Sequence, residues 1–114
     1  MPQYPLQIVE APIAPAALLK SEIATGGTAV TIIAGPCRGG FVSNPAVAAA
    51  QGLGSTENLY LDMVNTPGGS DATANGTTQL LQPGQSFTIP PLTSRVTVRV
   101  NATSSGHRLS GNVW

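Results

Sequence analysis

The residues able to carry chemistry in this chain are few and widely spaced. One cysteine, Cys37, and one histidine, His107, stand beside five carboxylates: Glu10, Glu22, Glu57, Asp62 and Asp71. A blue-copper centre needs two imidazoles next to its thiolate, and a closed zinc site needs four ligands. One cysteine and one histidine supply neither, so no metal and no cofactor is expected. Nucleophilic catalysis requires a Ser or Cys beside a base that a third group orients. His107 is the one imidazole on offer, and its place between a turn and a strand suits a hydrogen bond from a ring nitrogen to a loop carbonyl. Cys37 reads as a small buried thiol. Paired-carboxylate chemistry would have to draw on the five acids. Glu57 and Asp62 are an odd number of positions apart, so a regular strand sends them to opposite faces. No catalytic residue is expected.

Weaker motifs resolve the same way. Gly52-x-Gly54, ahead of Ser55-Thr56-Glu57, resembles half a dinucleotide fingerprint but precedes a strand where that motif must follow one. Asn75-Gly76-Thr77 and Asn101-Ala102-Thr103 match the glycosylation pattern. The first residues have no basic n-region and no continuous apolar h-region, so no secretory signal is expected and neither match reads as an acceptor. Arg95 and Arg99 fall on one side of an alternating run and read as a solvated strand face.

The elements that would position these residues are β-strands. In Arg95 to Asn101, Val96, Val98 and Val100 alternate with Thr97 and Arg99, which predicts a strand with one face buried. Thr77–Leu81 and Ser86–Ile89 read as strands joined in a hairpin by Pro83-Gly84, the central pair of a type II turn. Pro90-Pro91 stops the second run, since proline cannot donate to a ladder. Thr28–Ala34 reads as a buried strand and Phe41–Ser43 as a short one. Glu57–Val64 alternates, with Leu59, Leu61 and Met63 opposed to Tyr60, Asp62 and Val64. Ala16–Ala24 suits either a short helix or a strand, and Ala46–Gln51 a helical turn or a compact loop. Thr66–Gly76 reads as the most exposed loop, and His107–Trp114 as a final strand anchored by Leu109 and Val113.

Composition agrees. Thirteen Gly and ten Pro in 114 residues favour short strands and turns. Charged residues are only 9% and the formal net charge is zero. With no basic run there is no source for counterion-release binding to nucleic acid, and no apolar run approaches the roughly 20 residues of a membrane span. A weakly charged surface puts little repulsion between copies and favours protein–protein contact. The lone cysteine permits no intrachain disulfide. The expected architecture is a single antiparallel β-sandwich, jelly-roll or Ig-like, of about seven or eight strands. It spans 16–114 and is preceded by an extended arm, 1–15, with prolines at positions 2, 5, 12 and 15.

The series G-G-F-V-S-N-P, E-N-L-Y-L-D-M-V, L-x-P-G-Q-S-F-T-I-P, the Val-alternating strand and S-G-H-R-L-S-G resembles the small β-sandwich decoration or cement proteins of tailed-bacteriophage heads. The similarity covers residues 35 to 114 and lies in turn and strand grammar. It implies a structural virion protein, made in the host cytoplasm, that binds the assembled shell through the major capsid protein and through neighbouring copies of itself. A homo-oligomer on the capsid is implied, with neither nucleic acid nor membrane as partner. The arm would supply the interface, through Tyr4, Leu6, Ile8, Val9 and Ile13. The alternative is a carbohydrate-binding or adhesin-like sandwich. Its sugar platforms need exposed aromatic residues, and the chain has 4% aromatics, with Tyr4, Tyr60 and Trp114 far apart in sequence.

Overall fold

Val98 and Val100 point inward and are fully buried, as their alternation predicts, while Val96 is half-buried just ahead of the strand. A computed structural model describes residues 14–45, 57–70 and 76–114, and among these there is no helix. The strands are β1 (Ala16–Ala17), β2 (Glu22–Ile23), β3 (Val30–Ala34), β4 (Gly40–Ser43), β5 (Leu59–Asp62), β6 (Gln79–Leu81), β7 (Ser86–Ile89), β8 (Thr97–Asn101), β9 (His107–Arg108) and β10 (Ser110–Val113). All pairings are antiparallel. Seven of the ten strands have three or more residues; the excess over the expected count lies in the two-residue pieces β1, β2 and β9.

The pairings nest. β1 meets β10, β2 meets β9, β3 meets β8, β4 meets β7 and β5 meets β6. The chain is therefore one long antiparallel ribbon whose tip is the β5–β6 connection. Rolling the ribbon brings β10 against β4 and β8 against β5. Two four-stranded sheets result, β1-β10-β4-β7 and β3-β8-β5-β6, with β2–β9 as a separate pair. This is jelly-roll wrapping, which settles the choice against an Ig-like order. Between the sheets lie Ile23, Ile32, Leu59, Leu61 and Ile89, all 2% exposed or less. Burying side chains of this size is worth roughly 1.5–3 kcal/mol each.

A ribbon changes sheet only where both of its strands bend together, and the bends use glycine. At one, a Cβ on Gly26 would fall 2.3 Å from the Thr103 carbonyl oxygen; at another, a Cβ on Gly35 would fall 1.8 Å from that of Thr93. The ladder continues across these bends: Gly27 N–H donates to Ala102 C=O at 2.8 Å, Gly35 N–H to Val96 C=O at 2.8 Å, and Cys37 and Leu92 exchange both bonds. Backbone groups that leave one sheet thus stay satisfied before they enter the next.

Several expectations need correction. The Pro83-Gly84 turn forms, with Gln85 N–H donating to Gln82 C=O at 2.9 Å and Gly84 at φ 89°. It is not a hairpin, because β6 pairs with β5 and β7 pairs with β4, so the turn carries the chain from one sheet to the other. Ala16–Ala24 forms β1 and β2. The run 57–64 is a strand only at Leu59–Asp62, and both its faces are buried. The cover on the outer side is the start of the loop expected to be most exposed. Within it Pro67 is buried, and Arg99 Nη1 donates to Thr66 Oγ1 at 2.9 Å, Asn101 Nδ2 to Pro67 C=O at 2.9 Å and Thr103 Oγ1 to Gly69 C=O at 2.6 Å. The final strand breaks at the buried Leu109, whose N–H donates to Ser21 C=O, so β9 and β10 lie in different sheets; Val113 is half-buried. Readings at Ala46–Gln51 and Gly52–Gly54, like most of the arm, fall outside the described residues.

Val98→Asp would bury an unpaired charge at a site with 0% exposure and is expected to cost several kcal/mol. Urea denaturation should show a large drop in midpoint; a midpoint equal to the parent's would mean that the strand face is assigned wrongly.

Candidate functional site

Chemistry-bearing residues gather in two buried clusters. The first forms where the ribbon crosses between sheets after β4. Asn44 is fully buried, and its Nδ2 donates to Glu57 C=O at 2.7 Å and to Leu81 C=O at 2.8 Å. With both amide hydrogens committed, Asn44 Oδ1 accepts, so His107 Nε2 is the donor across their 2.9 Å contact. The neutral imidazole then carries its lone pair on Nδ1, which faces Glu57 Oε1 at 3.8 Å, too far for a hydrogen bond. Both atoms are buried without a partner. Ser104 Oγ donates to the other carboxylate oxygen, Glu57 Oε2, at 2.8 Å.

This arrangement has two parts of a catalytic triad in the wrong order. The acid sits beside Nδ1, as an orienting group would, but Nε2 is aimed at an amide and the serine binds the acid. The imidazole is completely buried. The ring nitrogen expected to bond a loop carbonyl bonds the Asn44 side-chain amide oxygen instead. Burial pushes the His107 pKa below its ordinary 6.5, and the Glu57 charge opposes that shift.

The second cluster surrounds Asp62, which is 1% exposed on the outer side of β5. Its Oδ1 accepts from the N–H groups of Val64 and Asn65 at 2.8 and 2.7 Å, and its oxygens also take the hydroxyls of Thr77 and Thr78. Burial alone would push this carboxyl up. The backbone bonds from Asn65 and Val64, with the Thr78 and Thr77 hydroxyls, outweigh it and hold the pKa below 3.8. Asp62 closes the loop at the ribbon's tip, and Glu57 serves the other cluster, so the structure does not bring the two acids together. Among the described residues no group of three His, Cys, Asp or Glu is placed to hold a metal. Cys37 is half-buried against the core. Arg95 lies in the turn before β8, apart from Arg99. Asn101 is 1% exposed and committed to Pro67, which closes it to glycosylation.

The surface offers something the sequence did not reveal. On the outer side of the sheet β1-β10-β4-β7, Phe41 lies between Asn112 and Thr88, and Ala17 continues the row beyond Asn112. A second row holds Ser110, Ser43 and Ser86. Trp114 extends β10 opposite Gly39, its N–H donating to Gly39 C=O at 3.0 Å, and covers that glycine with its indole. Phe41 and Trp114 are therefore diagonal neighbours on one face, within aromatic reach, and remain 37% and 40% exposed. None of these residues is charged. The expected interface residues Tyr4, Leu6, Ile8, Val9 and Ile13 lie outside the described residues.

Both clusters make stability depend on pH with the same sign. For His107 and Asp62 the folded pKa lies below the unfolded one, so the unfolded chain binds more protons between the two values and stability falls as pH falls. The His107 loss begins as pH drops through about 6.5, and the Asp62 loss as it drops through about 3.8. Urea midpoints across pH should decline in these two windows, with His107→Gln flattening the first and Asp62→Asn the second. Asn44→Ala should cost roughly 2–4 kcal/mol at neutral pH by stranding buried donors and acceptors; an unchanged melting curve would contradict its role.

No protein-family model, curated protein or solved structure matches this chain.

Proposed function

We propose that this chain is a structural accessory protein of a virion head, held on the assembled shell by uncharged protein–protein contacts. The observation that carries the reading is the outer face of the β1-β10-β4-β7 sheet. Two exposed aromatic side chains stand there among Ser, Thr, Asn and Ala, and no residue of the four strands is charged. Aromatic anchors surrounded by small polar groups are the composition of binding hot spots. The resemblance of residues 35–114 to head decoration proteins supplies the partner, the major capsid protein, and the jelly-roll wrapping is compatible with it. The segment before Ala14 is the second proposed contact, through Tyr4, Leu6, Ile8, Val9 and Ile13. No reaction enters this reading.

One observation favours a second reading. Phe41 and Trp114, distant in sequence, are diagonal neighbours on a face rich in hydroxyls and bearing an amide, which is the chemistry of a neutral-sugar platform. A glycan array separates the two readings.

The test is sedimentation with assembled shells and with unassembled subunits of the major capsid protein. Phe41→Glu should fold normally, because the side chain is outside the core, and should weaken shell binding roughly thirtyfold, the loss of one aromatic hot spot. Removing residues 1–13 should leave the melting transition unchanged and weaken shell binding. Retention by the parent should hardly change between about 0.1 and 1 M salt, although the Debye length falls from about 10 to 3 Å. Equal binding by parent, Phe41→Glu and the truncated chain would overturn the proposal.

A further inference from the structure

The four sheet edges are not alike. β3 is covered: Leu19 N–H donates to Ile32 C=O at 2.8 Å, and a register shift between Thr31 and Ile33 kinks the strand. β1 has two residues and β6 three. Short, bulged or covered strands are how proteins keep edges from pairing with other chains. Among the described residues β7 has none of these devices. It is four residues long, carries no charge and contains no proline until Pro90-Pro91 follow it.

The register says which of its backbone groups are free. Asn44 N–H donates to Gln85 C=O at 2.9 Å, and Trp114 N–H donates to Gly39 C=O on the other side of β4. Hydrogen-bonded and non-bonded pairs alternate along an antiparallel ladder. Phe87 and Ile89 therefore bond inward to Val42 and Gly40, while Ser86 and Thr88 turn their N–H and C=O groups to the open edge. No described residue meets those groups.

We propose that β7 pairs with β7 of a second copy, antiparallel about a twofold axis through Phe87. In that register Ser86 stands opposite Thr88 of the second copy and Thr88 opposite its Ser86, so four N–H···O=C bonds form with no group left over. The two half-buried Phe87 rings come directly opposite each other and cover their remaining exposed surface. No residue from 72 to 94 is charged, so nothing repels across the axis. Pro90-Pro91 limits the pairing to these bonds, and the isologous contact uses up the edge and cannot propagate. The two sheets join into one of eight strands. This inference deepens the assembly reading by naming a lateral contact between copies. An edge this short buries well under the roughly 1,200 Å² of a stable interface, so the contact is weak in solution and gains from the high local concentration of copies on a shell.

The experiment is NMR of the full chain in dilute and concentrated solution, without capsid, so its outcome is independent of shell binding. Ser86 and Thr88 amides should shift and exchange more slowly as concentration rises, while the Phe87 and Ile89 amides stay protected and nearly unmoved. Thr88→Lys, which sets like charges across the axis, should abolish the concentration dependence. Thr88→Pro, which removes an outward donor and no intrachain bond, should do the same with the fold intact. The proposal is overturned if Ser86 and Thr88 do not respond, if the response is uniform along β7, or if it survives in both variants.

Discussion

One buried amide holds the place where the ribbon changes sheets. Leaving β4 and arriving at β7, the two strands bend between layers, and their polar backbone groups must find partners without a ladder. Asn44 provides them from one position. Its backbone N–H donates to Gln85 C=O, its carbonyl accepts from Gly84 N–H at 2.7 Å, and its side chain ties the ends of β5 and β6 to His107. Asparagine suits this task because the amide offers two donors and an acceptor on a short, uncharged stem. An aspartate would carry no donor toward Leu81 and Glu57 and would bring a buried charge.

Three of the chain's ten charged residues have similar duties. Asp62 is hidden beneath its own loop, Glu57 ends the buried imidazole cluster, and Arg99 holds Thr66 against the sheet. What is left for the β1-β10-β4-β7 face is hydroxyl, amide and aromatic. A surface of this kind recognises by shape and burial, and ions in solution hardly weaken it. The absence of charge from these four strands thus shapes how that face can bind.

Local chemistry was legible in the sequence, and long-range pairing was not. The valine alternation of β8, the Pro-Gly turn and the prolines after β7 each follow from neighbours in the chain. The partner strands on either side of Pro83-Gly84 are set by β5 and β4, which no local pattern names. Tyr60 and Asp62 were correctly placed on the side opposite Leu59 and Leu61, but their burial depends on a loop that folds back to Asn101 and Thr103. Phe41 and Trp114 became neighbours only through the β4–β10 register, so no sequence window could have joined them. His107 was readable as a structural imidazole because a single histidine had no other imidazole to work with.

Nesting also sets an order for folding. The Asp62 clasp to Thr77 and Thr78 closes the sixteen-residue loop at the ribbon's tip, so β5 and β6 meet despite its length. Each further pair outward then needs only a small additional closure, because the pair inside it has already brought the strands together. Zipping from the tip avoids the large entropic barrier that pairing β1 with β10 first would impose. Unfolding would run in reverse, with β1 peeling from β10 while β5 and β6 remain joined. A chain emerging from synthesis could not begin until β6 had been made, leaving its first half waiting for partners.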